Sequence, residues 1–275
     1  MVRFDGYSAT TTAANHFQLL DLFGAGFKTE QGRGFHSFGH RLSVRDDHGS
    51  EVGSVMWGGV HGDRSMIEVK GEHSPRVVEA LRSRFPHRAT RVDSCADFDA
   101  PRAFERVLGA CLNVKAKNAR LKGEKRGDWD DHPEDGRTFY LGSPKSPVRT
   151  RLYDKGRQPE YRHLNRPDWC RLEIQVRPAK EAKTEFAGLS ALDVWGASAW
   201  SRELAATVLA EHIDPHAAGT VWRRTSLEQR FHFVCKQYGA TFLELFDELG
   251  SWECVGLTLK EKIIELQEGK RLPDA

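Results

Sequence analysis

The chain has 275 residues and a formal net charge of +2, with 39% hydrophobic and 29% charged residues. This composition is typical of globular proteins and excludes an intrinsically disordered chain. No apolar run approaches the roughly 18 residues of a membrane-spanning helix, and the N-terminus lacks the basic-then-apolar order of a signal peptide. Five widely spaced cysteines without a Cys-x-x-Cys pair indicate reduced thiols rather than a disulfide scaffold, so we expect a cytoplasmic protein without membrane contact.

Short strand-like runs, separated by Gly, Pro, Asp and Ser, dominate the first two-thirds of the chain. The spacing of apolar residues predicts two helices between them, at 75–84 and 101–121, and we interpret the polar, charged segment 122–134 as an exposed loop. The predicted strands cover residues 41–45, 52–57, 66–70, 89–96, 138–141, 148–154 and 170–177.

After residue 180 the pattern becomes helical. One helix is predicted over 192–213, and capping-box spacings predict two more that open at Thr225 and Thr258. The sequence Tyr238-Gly239-Ala240 predicts a break within the first of these two.

An internal repeat is predicted within residues 1–180. The order MWGG, MIEVKG, RVDSCADF in the first half matches YLGS, RLYDKG, RLEIQVRP in the second half, with similar spacing. In this alignment Lys70 lies opposite Lys155, and Asp93 lies opposite Glu173. We therefore predict an α+β fold of two pseudo-repeated antiparallel β-sheet and helix units over 1–180, followed by a helical C-terminal region over 181–275.

Side chains alternate between the two faces of a strand, so residues two apart share a face. In 170–177 the even-numbered residues are apolar and should face the core, as should Val148 and Leu152. If the strands pair, the opposite face presents a tyrosine, three carboxylates and several cations; an ordinary solvated sheet face is the alternative. This outward set is Glu68, Lys70, Arg91, Asp93, Arg149, Arg151, Tyr153, Lys155, Arg171, Glu173, Gln175 and Arg177.

Charge is distributed unevenly along the chain. Residues 137–177 contain ten Lys and Arg against four acids, a net charge of +6 that leaves −4 for the rest of the chain. A basic segment in an otherwise acidic protein fits a localised site for a polyanion, and a solvated basic surface is the alternative.

Tyr153 lies in the motif Arg151-Leu152-Tyr153-Asp154-Lys155. A tyrosine with a pKa of about 10 is a poor nucleophile, but neighbouring cations and a metal ion stabilise its phenolate. A phosphodiester is its natural electrophile, and carboxylates such as Asp93 and Glu173 are hard oxygen ligands suited to Mg²⁺ or Mn²⁺. The simpler alternatives are a tyrosine that packs across strands and cross-strand salt bridges for Arg171 and Glu173.

The segments FYLGSPKSPVRTRLYDKGRQ and WCRLEIQVRP resemble the replication initiation factor (Rep_trans) family. That family includes rolling-circle plasmid initiators, filamentous-phage replication proteins and relaxases of some conjugative elements. Its pattern of a glycine-ended strand, R-x-Y-[DN]-K and R-x-E-[LI] is present in order, and TRVDSCADFD and GVHGDRSMIEVKG resemble its preceding strands. The resemblance covers residues 40–178 well and the helical tail more loosely. It implies an initiator-nuclease-like fold and an endonuclease that nicks and rejoins origin DNA in rolling-circle replication.

The resemblance also implies roles for individual residues. Tyr153 would be the nucleophile that forms a phosphotyrosine intermediate, with Asp93 and Glu173 as ligands of Mg²⁺ or Mn²⁺. Glu68 is the expected third ligand, and Asp154 is its rival because it adjoins the tyrosine. The cations expected to act on DNA phosphates are Arg151 and Lys155 beside the nucleophile, and Arg149, Arg171, Arg177, Lys145 and Arg162 around it.

The partners implied are origin DNA, single-stranded or supercoiled, together with a host helicase and a second copy of the chain. The sequence has no His-hydrophobic-His pair, so the histidine metal site of other rolling-circle initiators is absent. A relaxase of a mobile element would share the same chemistry. A non-enzymatic origin-binding or regulatory protein that retains the fold is the other alternative.

Overall fold

The computed structural model describes residues 1–132, 135–219 and 226–268 of the chain. The chain divides into two compact units, Met1–Val221 and Trp222–Ala275. The first unit contains a large antiparallel sheet with helices, and the second unit contains two helices. Among the described helices, none is long and apolar enough to cross a bilayer.

Ten strands of the described residues form one sheet in which all neighbouring strands are antiparallel. In chain order they are β1 Val2–Thr11, β2 Lys28–Arg33, β3 His40–Arg45, β4 Glu51–Trp57, β5 Ser65–Lys70, β6 Arg88–Asp99, β7 Gly123–Arg126, β8 Thr138–Leu141, β9 Val148–Tyr153 and β10 Trp169–Val176. Their order across the sheet is β2-β3-β4-β5-β1-β6-β10-β9-β8-β7. The N-terminal strand β1 therefore lies inside the sheet and joins β5 to β6.

Helices cover one face of this sheet. Those of the first unit are α1 His16–Asp21, α2 Ser74–Arg84, α3 Ala103–Lys117, α4 Ala182–Gly188 and α5 Ala199–Val208. Their apolar side chains share one core with Leu152, Leu172 and Ile174, which are fully buried. The alternation of β9 and β10 is thus confirmed, and the charged residues of these strands lie on the opposite face.

All seven predicted strands are present, with ends that differ by three residues or fewer. The sequence pattern did not predict β1, β2 or β7. Register shifts at Phe4/Gly6 and Ser8/Ala9 interrupt the alternation of β1, so its pattern is irregular. The segment 122–134, interpreted as a loop, contains β7, whose sequence Gly-Glu-Lys-Arg pairs with β8 through its backbone at the edge of the sheet.

The helix predicted over 192–213 is interrupted. A 3₁₀ turn spans Asp193–Ala197, and α5 begins after Ser198, whose side chain accepts a hydrogen bond from the backbone of Ser201. A Cβ on Gly196 would lie 2.3 Å from the carbonyl oxygen of Asp214, so this position requires glycine where the two backbones meet. Close packing of the chain on itself explains the interruption.

The boundary between the compact units follows Val221, whereas the sequence pattern placed it at residue 180. Phe186 of α4 and Leu204 of α5 belong to the core of the sheet. Trp195 is fully buried in the same core, and its Nε1–H donates a 3.1 Å hydrogen bond to Ser94 Oγ of β6. Helical periodicity shows that a segment is helical but does not show which core it joins, so the pattern gave an earlier boundary.

The second unit contains α6 Ser226–Leu249 and α7 Trp252–Glu268. The predicted break at 238–240 is wrong, because α6 continues through Gly239; a glycine inside a helix costs only about 1 kcal/mol. The chain turns instead at Gly250, which has a φ of +76°, and α7 opens where Ser251 Oγ accepts from the backbone of Cys254. Thr258 lies inside α7, and Thr225 lies outside the described residues.

The α+β class is confirmed, while the internal repeat stays a prediction. The strands β4 and β5 in one half and β8 and β9 in the other form adjacent antiparallel pairs. Their outer neighbours differ, because β5 pairs with β1 whereas β9 pairs with β10. The aligned segments RVDSCADF and RLEIQVRP lie on β6 and β10, and these two strands pair with each other at the centre of the sheet.

Trp195→Ala should lower the free energy of unfolding of the first unit by about 3–5 kcal/mol, because it opens a cavity at a fully buried indole. Urea unfolding followed by circular dichroism measures this loss. Val60→Ala, at a side chain that is 83% exposed, is the control and should change stability by less than about 0.5 kcal/mol. Equal stability of the two variants would contradict the assignment of residues after 180 to the core of the sheet.

Candidate active site

The polar face of the sheet brings Tyr153 and Glu173 into direct contact. Tyr153 is the last residue of β9, and Glu173 lies on the adjacent strand β10. The Tyr153 hydroxyl donates a 2.6 Å hydrogen bond to Glu173 Oε1. Both residues are buried, at 5% and 7% exposure. The phenol proton is therefore directed at a carboxylate that is shielded from solvent.

Two cations lie beside the Tyr153 ring. Arg151 donates to Glu173 Oε2 from Nη2 at 2.6 Å and from Nε at 3.1 Å, and its guanidinium carbon lies 4.6 Å from the ring centroid. Lys155 Nζ lies 5.7 Å from the same centroid and donates to Gln158 Oε1. The structure thus places the three residues predicted to be catalytic in one group.

Burial shifts the pKa values of this group. Burial, followed by the charge of Glu173, raises the pKa of Tyr153 far above its ordinary value of 10.0, although Arg171 and Arg151 act in the opposite direction. Burial also raises the pKa of Glu173 to about 7, against the effect of Arg151. The carboxyl of Asp5 contacts Glu173 and contributes to the same rise. Glu173 can therefore exchange a proton near neutral pH, while Tyr153 keeps its own.

Arg171 lies at the centre of a buried charge network that links three strands. It donates to Asp5 Oδ1 on β1 at 2.7 Å and to both carboxylate oxygens of Asp97 on β6, at 2.7 and 3.1 Å. Asp97 also pairs with Arg3 and accepts from Trp169 Nε1. Burial acts to raise the pKa of Asp97, but its hydrogen bonds, led by that from Arg171, hold this pKa below its usual range. The prediction that Arg171 holds DNA phosphates is corrected, because its guanidinium is buried and fully engaged by carboxylates.

Asp93 lies beside this network, on β6. Both of its carboxylate oxygens accept from the guanidinium of Arg91. The residue opposite Asp93 on β1 is Gly6, where a Cβ would lie 2.9 Å from Asp93 Oδ2. Burial raises the pKa of Asp93 despite its pairing with Arg91, and the charge of Asp5 acts in the same direction as burial. The absence of a side chain at Gly6 thus leaves room for a buried carboxylate.

Glu68, the predicted third metal ligand, lies apart from Glu173. Two strands, β1 and β6, separate β5 from β10, and three strand spacings amount to roughly 14 Å. The Glu68 carboxylate accepts from the hydroxyls of Ser8 and Ser54 instead. These contacts are consistent with the sheet face predicted for Glu68. The order of the strands, however, places Glu68 too far from Tyr153 to share a metal ion with Glu173.

Asp154, the rival third ligand, points away from the Tyr153 hydroxyl. Its carboxylate accepts from the backbone N–H of Arg137 at 2.8 Å and from Arg137 Nε at 2.9 Å. It is buried in this contact, so regular alternation holds at the end of β9 and no bulge turns Asp154 toward the site.

The carboxylates next to Tyr153 fit a metal ion as a pair. Within the described residues, no group of three or more His, Cys, Asp or Glu side chains has the arrangement of a metal site. Asp5 and Glu173, however, contact each other through their carboxyl groups. Mg²⁺ is often held by one or two carboxylates together with water and substrate phosphates, so this donor set suits an ion that a DNA phosphate helps to bind.

Comparison with known proteins decides the family. Residues 90–229, which are half of the chain, match the sequence profile of the replication initiation factor family. The chain belongs to the replication initiation factor family. Its structure is also similar to that of the rolling circle replication initiator protein from Geobacillus stearothermophilus, with a TM-score of 0.49 and 16% identity over 71% of this chain and 83% of that chain. Among curated proteins, none matches the chain.

In the folded chain, carboxylates neutralise much of the basic segment 137–177. Most of the partners lie outside the segment, on β1, α3, β6 and β7. The cations that form ion pairs are Arg137, Arg149, Arg151, Arg162, Arg166 and Arg171. A positive charge counted along the sequence is therefore a poor measure of the positive charge that the folded segment offers to DNA.

The remaining cations predicted to bind DNA differ in their exposure. Arg149 donates to Glu124 at 3.2 Å and lies 3.8 Å from the centroid of the Tyr140 ring. Lys145, Arg162 and Arg177 are exposed, and their DNA contacts stay a prediction. A groove next to Glu173 is lined by four arginines, namely Arg91, Arg149, Arg151 and Arg177.

Sequence reasoning missed Asp5 and Asp97. Asp5 lies in β1, and the run VRFDGYSATTT carries a strand signal in its aromatic and β-branched residues. Asp97 follows Asp93 and Cys95 by alternation, so the parity of β6 could have placed it on the polar face. The family match includes Asp97 but begins after Asp5.

Glu173→Gln should lower the pKa of Tyr153, because it removes the negative charge that opposes the phenolate and keeps an acceptor for the hydroxyl. A pH titration of ¹³Cζ-labelled tyrosine by NMR measures this pKa. Glu68→Gln, on the same face of the sheet but three strands away, is the matched control and should leave the titration of Tyr153 unchanged. The same Tyr153 pKa in both variants would rule out the contact.

Proposed function

We propose that this replication initiation factor starts rolling-circle replication by nicking and rejoining origin DNA through Tyr153. The observation that carries the proposal is the 2.6 Å hydrogen bond from the Tyr153 hydroxyl to Glu173, with Arg151 and Lys155 beside the ring. A nucleophilic tyrosine needs a proton acceptor and positive charge near its oxygen, and these residues supply both. Membership of the family supports DNA as the substrate.

In the proposed reaction, Tyr153 Oη attacks a phosphodiester of the origin while its proton passes to Glu173 Oε1. A bond forms between Oη and phosphorus, and the bond from phosphorus to the 3′ oxygen breaks. The 5′ end stays on the protein as a phosphotyrosine ester, and the 3′ oxygen takes up a proton and leaves as a hydroxyl. Attack by a 3′ hydroxyl reverses these changes and rejoins the strand, because the ester conserves the energy of the broken bond.

Arg151 and Lys155 have different tasks in this scheme. Arg151 is fixed by Glu173 and keeps part of its side chain exposed, so it can stabilise the negative charge that develops on the phosphate oxygens. Burial lowers the pKa of Lys155, and Arg171 acts in the same direction. An ammonium that releases its proton more readily than an exposed lysine is suited to protonate the departing 3′ oxygen.

The proposal includes a divalent cation, Mg²⁺ or Mn²⁺. Asp5 and Glu173 would hold it, with Asp93 on the neighbouring strand and without Glu68. When bound, the ion supplies positive charge to the phosphate oxygens. A host helicase that separates the strands at the nick and a second copy of the chain are the further proposed partners.

Tyr153→Phe should abolish nicking of supercoiled origin DNA and formation of the covalent adduct, because it removes only the attacking hydroxyl. Mass spectrometry of the digested protein after incubation with origin DNA detects the adduct. Tyr161→Phe is the matched control, since that ring also contacts Lys155 at 3.9 Å, and it should nick at the wild-type rate. Nicking that survives in Tyr153→Phe would refute the assignment, and closed DNA with the wild-type protein would favour a pure origin-binding role.

Asp5→Asn should weaken Mn²⁺ binding by at least about tenfold, because it removes one of the two contacting carboxylates. Isothermal titration calorimetry of the DNA-free protein with Mn²⁺ measures the affinity, and nicking should require correspondingly more metal. Glu68→Gln is the control and should bind Mn²⁺ like the wild type. If Glu68→Gln weakens binding and Asp5→Asn does not, the carboxylate pair is the wrong site.

A further inference from the structure

Besides the groove at Glu173, a basic cleft lies at the start of β6. Tyr153 lies near the other end of this strand. Arg88 is the first residue of β6 and pairs with Thr10 of β1, and the chain that enters α4 closes the other side. The cleft has a volume of about 530 Å³. Its polar lining lies outside the active site and consists of four cations, four threonines and a histidine: Arg64, Arg88, Lys180, Lys183, Thr10, Thr11, Thr12, Thr184 and His87.

No acidic partner neutralises these four cations among the residues that the structure describes. Arg88 Nη2 donates to the backbone carbonyl of Lys180 at 2.7 Å, which orients the guanidinium without cancelling its charge. In the active site, by contrast, Arg151 and Arg171 are paired with carboxylates. Like charges gathered in one cleft repel each other, and a bound polyanion relieves this repulsion.

We propose that this cleft binds backbone phosphates of the same DNA that Tyr153 cuts, as a second anchor for the substrate. The choice of DNA rests on the proposed function. The threonine hydroxyls add uncharged donors of the kind that commonly contact phosphate oxygens. The volume of the cleft, about 530 Å³, and its four cations suit a run of phosphates rather than one small anion.

The sheet sets the spacing between the two sites. Tyr153 pairs with Arg171, which pairs with Asp97, so the nucleophile lies at the level of Asp97 on β6. Arg88 is nine residues earlier on the same strand, a separation of roughly 30 Å. Phosphates of a duplex strand are about 3.4 Å apart along the axis, so the cleft lies about nine base pairs from the nick.

Exposed arginines lie between the two ends of this path. Arg91 is three residues from Arg88 on β6, and Arg177 follows β10 at the same level. The positive charge of Arg91 lowers the pKa of Arg177 in addition to the effect of burial, which shows that the two cations are close. Both line the groove that contains Glu173. Arg91 is paired with Asp93, whereas Arg177 donates to the backbone carbonyl of Pro144 and keeps its positive charge on the path from the active site toward the cleft.

The salt dependence of DNA binding tests this anchor. All proteins carry Tyr153→Phe, so that binding is measured without cleavage, and the probe is a fluorescein-labelled duplex of about 30 base pairs, long enough to span both sites. Arg64→Ala with Lys183→Ala should flatten the slope of log affinity against log salt by about two units. The matched control is Arg106→Ala with Lys115→Ala, two exposed cations of α3 on the helix-covered side of the sheet, and its slope should equal that of the parent.

The charge-preserving pair Arg64→Lys with Lys183→Arg should restore the parent slope, which separates loss of charge from loss of fold. An unchanged slope in the alanine pair, or an equal loss in the α3 control, would overturn the proposal. Tight binding of inorganic phosphate by calorimetry without any change in the DNA slope would assign the cleft to a small anion and also overturn it. This binding measurement needs no nicking. A flattened slope in the alanine pair, together with a wild-type protein that does not nick origin DNA, would therefore refute the proposed reaction but leave the proposed anchor supported.

Discussion

The polar face of the sheet depends on the buried guanidinium of Arg171. It joins β10 to Asp97 on β6 and to Asp5 on β1, so three central strands share one charge network. A cation at 5% exposure is tolerated only where carboxylates replace its lost hydration, and an uncompensated charge of this kind typically costs about 3–5 kcal/mol. This requirement fixes the position of β10 against its neighbours. Glu173, two residues further on the same face, is thereby held where the Tyr153 hydroxyl reaches it.

Burial within this network also keeps the Tyr153 hydroxyl protonated at rest. Burial raises the pKa of both Tyr153 and Glu173, and the phenol, whose ordinary pKa is already well above that of a carboxyl group, keeps its proton. Direct transfer to Glu173 is therefore unfavourable until further positive charge reaches the site. The carboxyl pair of Asp5 and Glu173 is where such charge would have the greatest effect on the neighbouring phenol. In the proposed mechanism, the same buried carboxylates thus link activation of the tyrosine to the binding of a cation and a phosphate.

Strand parity explains both what the sequence could predict and what it could not. The alternation of 148–154 and 170–177 placed Tyr153 and Glu173 on one face, and the structure joins them by a hydrogen bond. Parity, however, does not give the order of strands in a sheet. Because β1 lies between β5 and β6, Glu68 is on the expected face but too far from Glu173, and its place beside Glu173 is taken by Asp5. The sequence pattern did not predict Asp5 as a site residue, because the register shift at Phe4/Gly6 breaks the alternation of polar and apolar residues in β1.

The sequence shows how many charged residues a segment has but not which of them form ion pairs. In this fold, the paired cations lie at the candidate site, and the cations that lack a carboxylate partner among the described residues lie elsewhere. The charge of 137–177 predicts cations that contact DNA phosphates beside the tyrosine and around it, yet several of these cations hold carboxylates and so organise the site rather than attract a polyanion. Ion pairs that are already formed release few counterions when DNA arrives, whereas unpaired cations release about one each. Arg64, Arg88, Lys180 and Lys183, which have no acidic partner among the described residues, are far apart in the sequence and meet because the end of β1, the starts of β5 and β6, and α4 converge. A fold that places paired arginines at Tyr153, and arginines and lysines without an acidic partner among the described residues at the end of β6, can strengthen the proposed DNA binding without disturbing the proton affinities on which the proposed reaction depends.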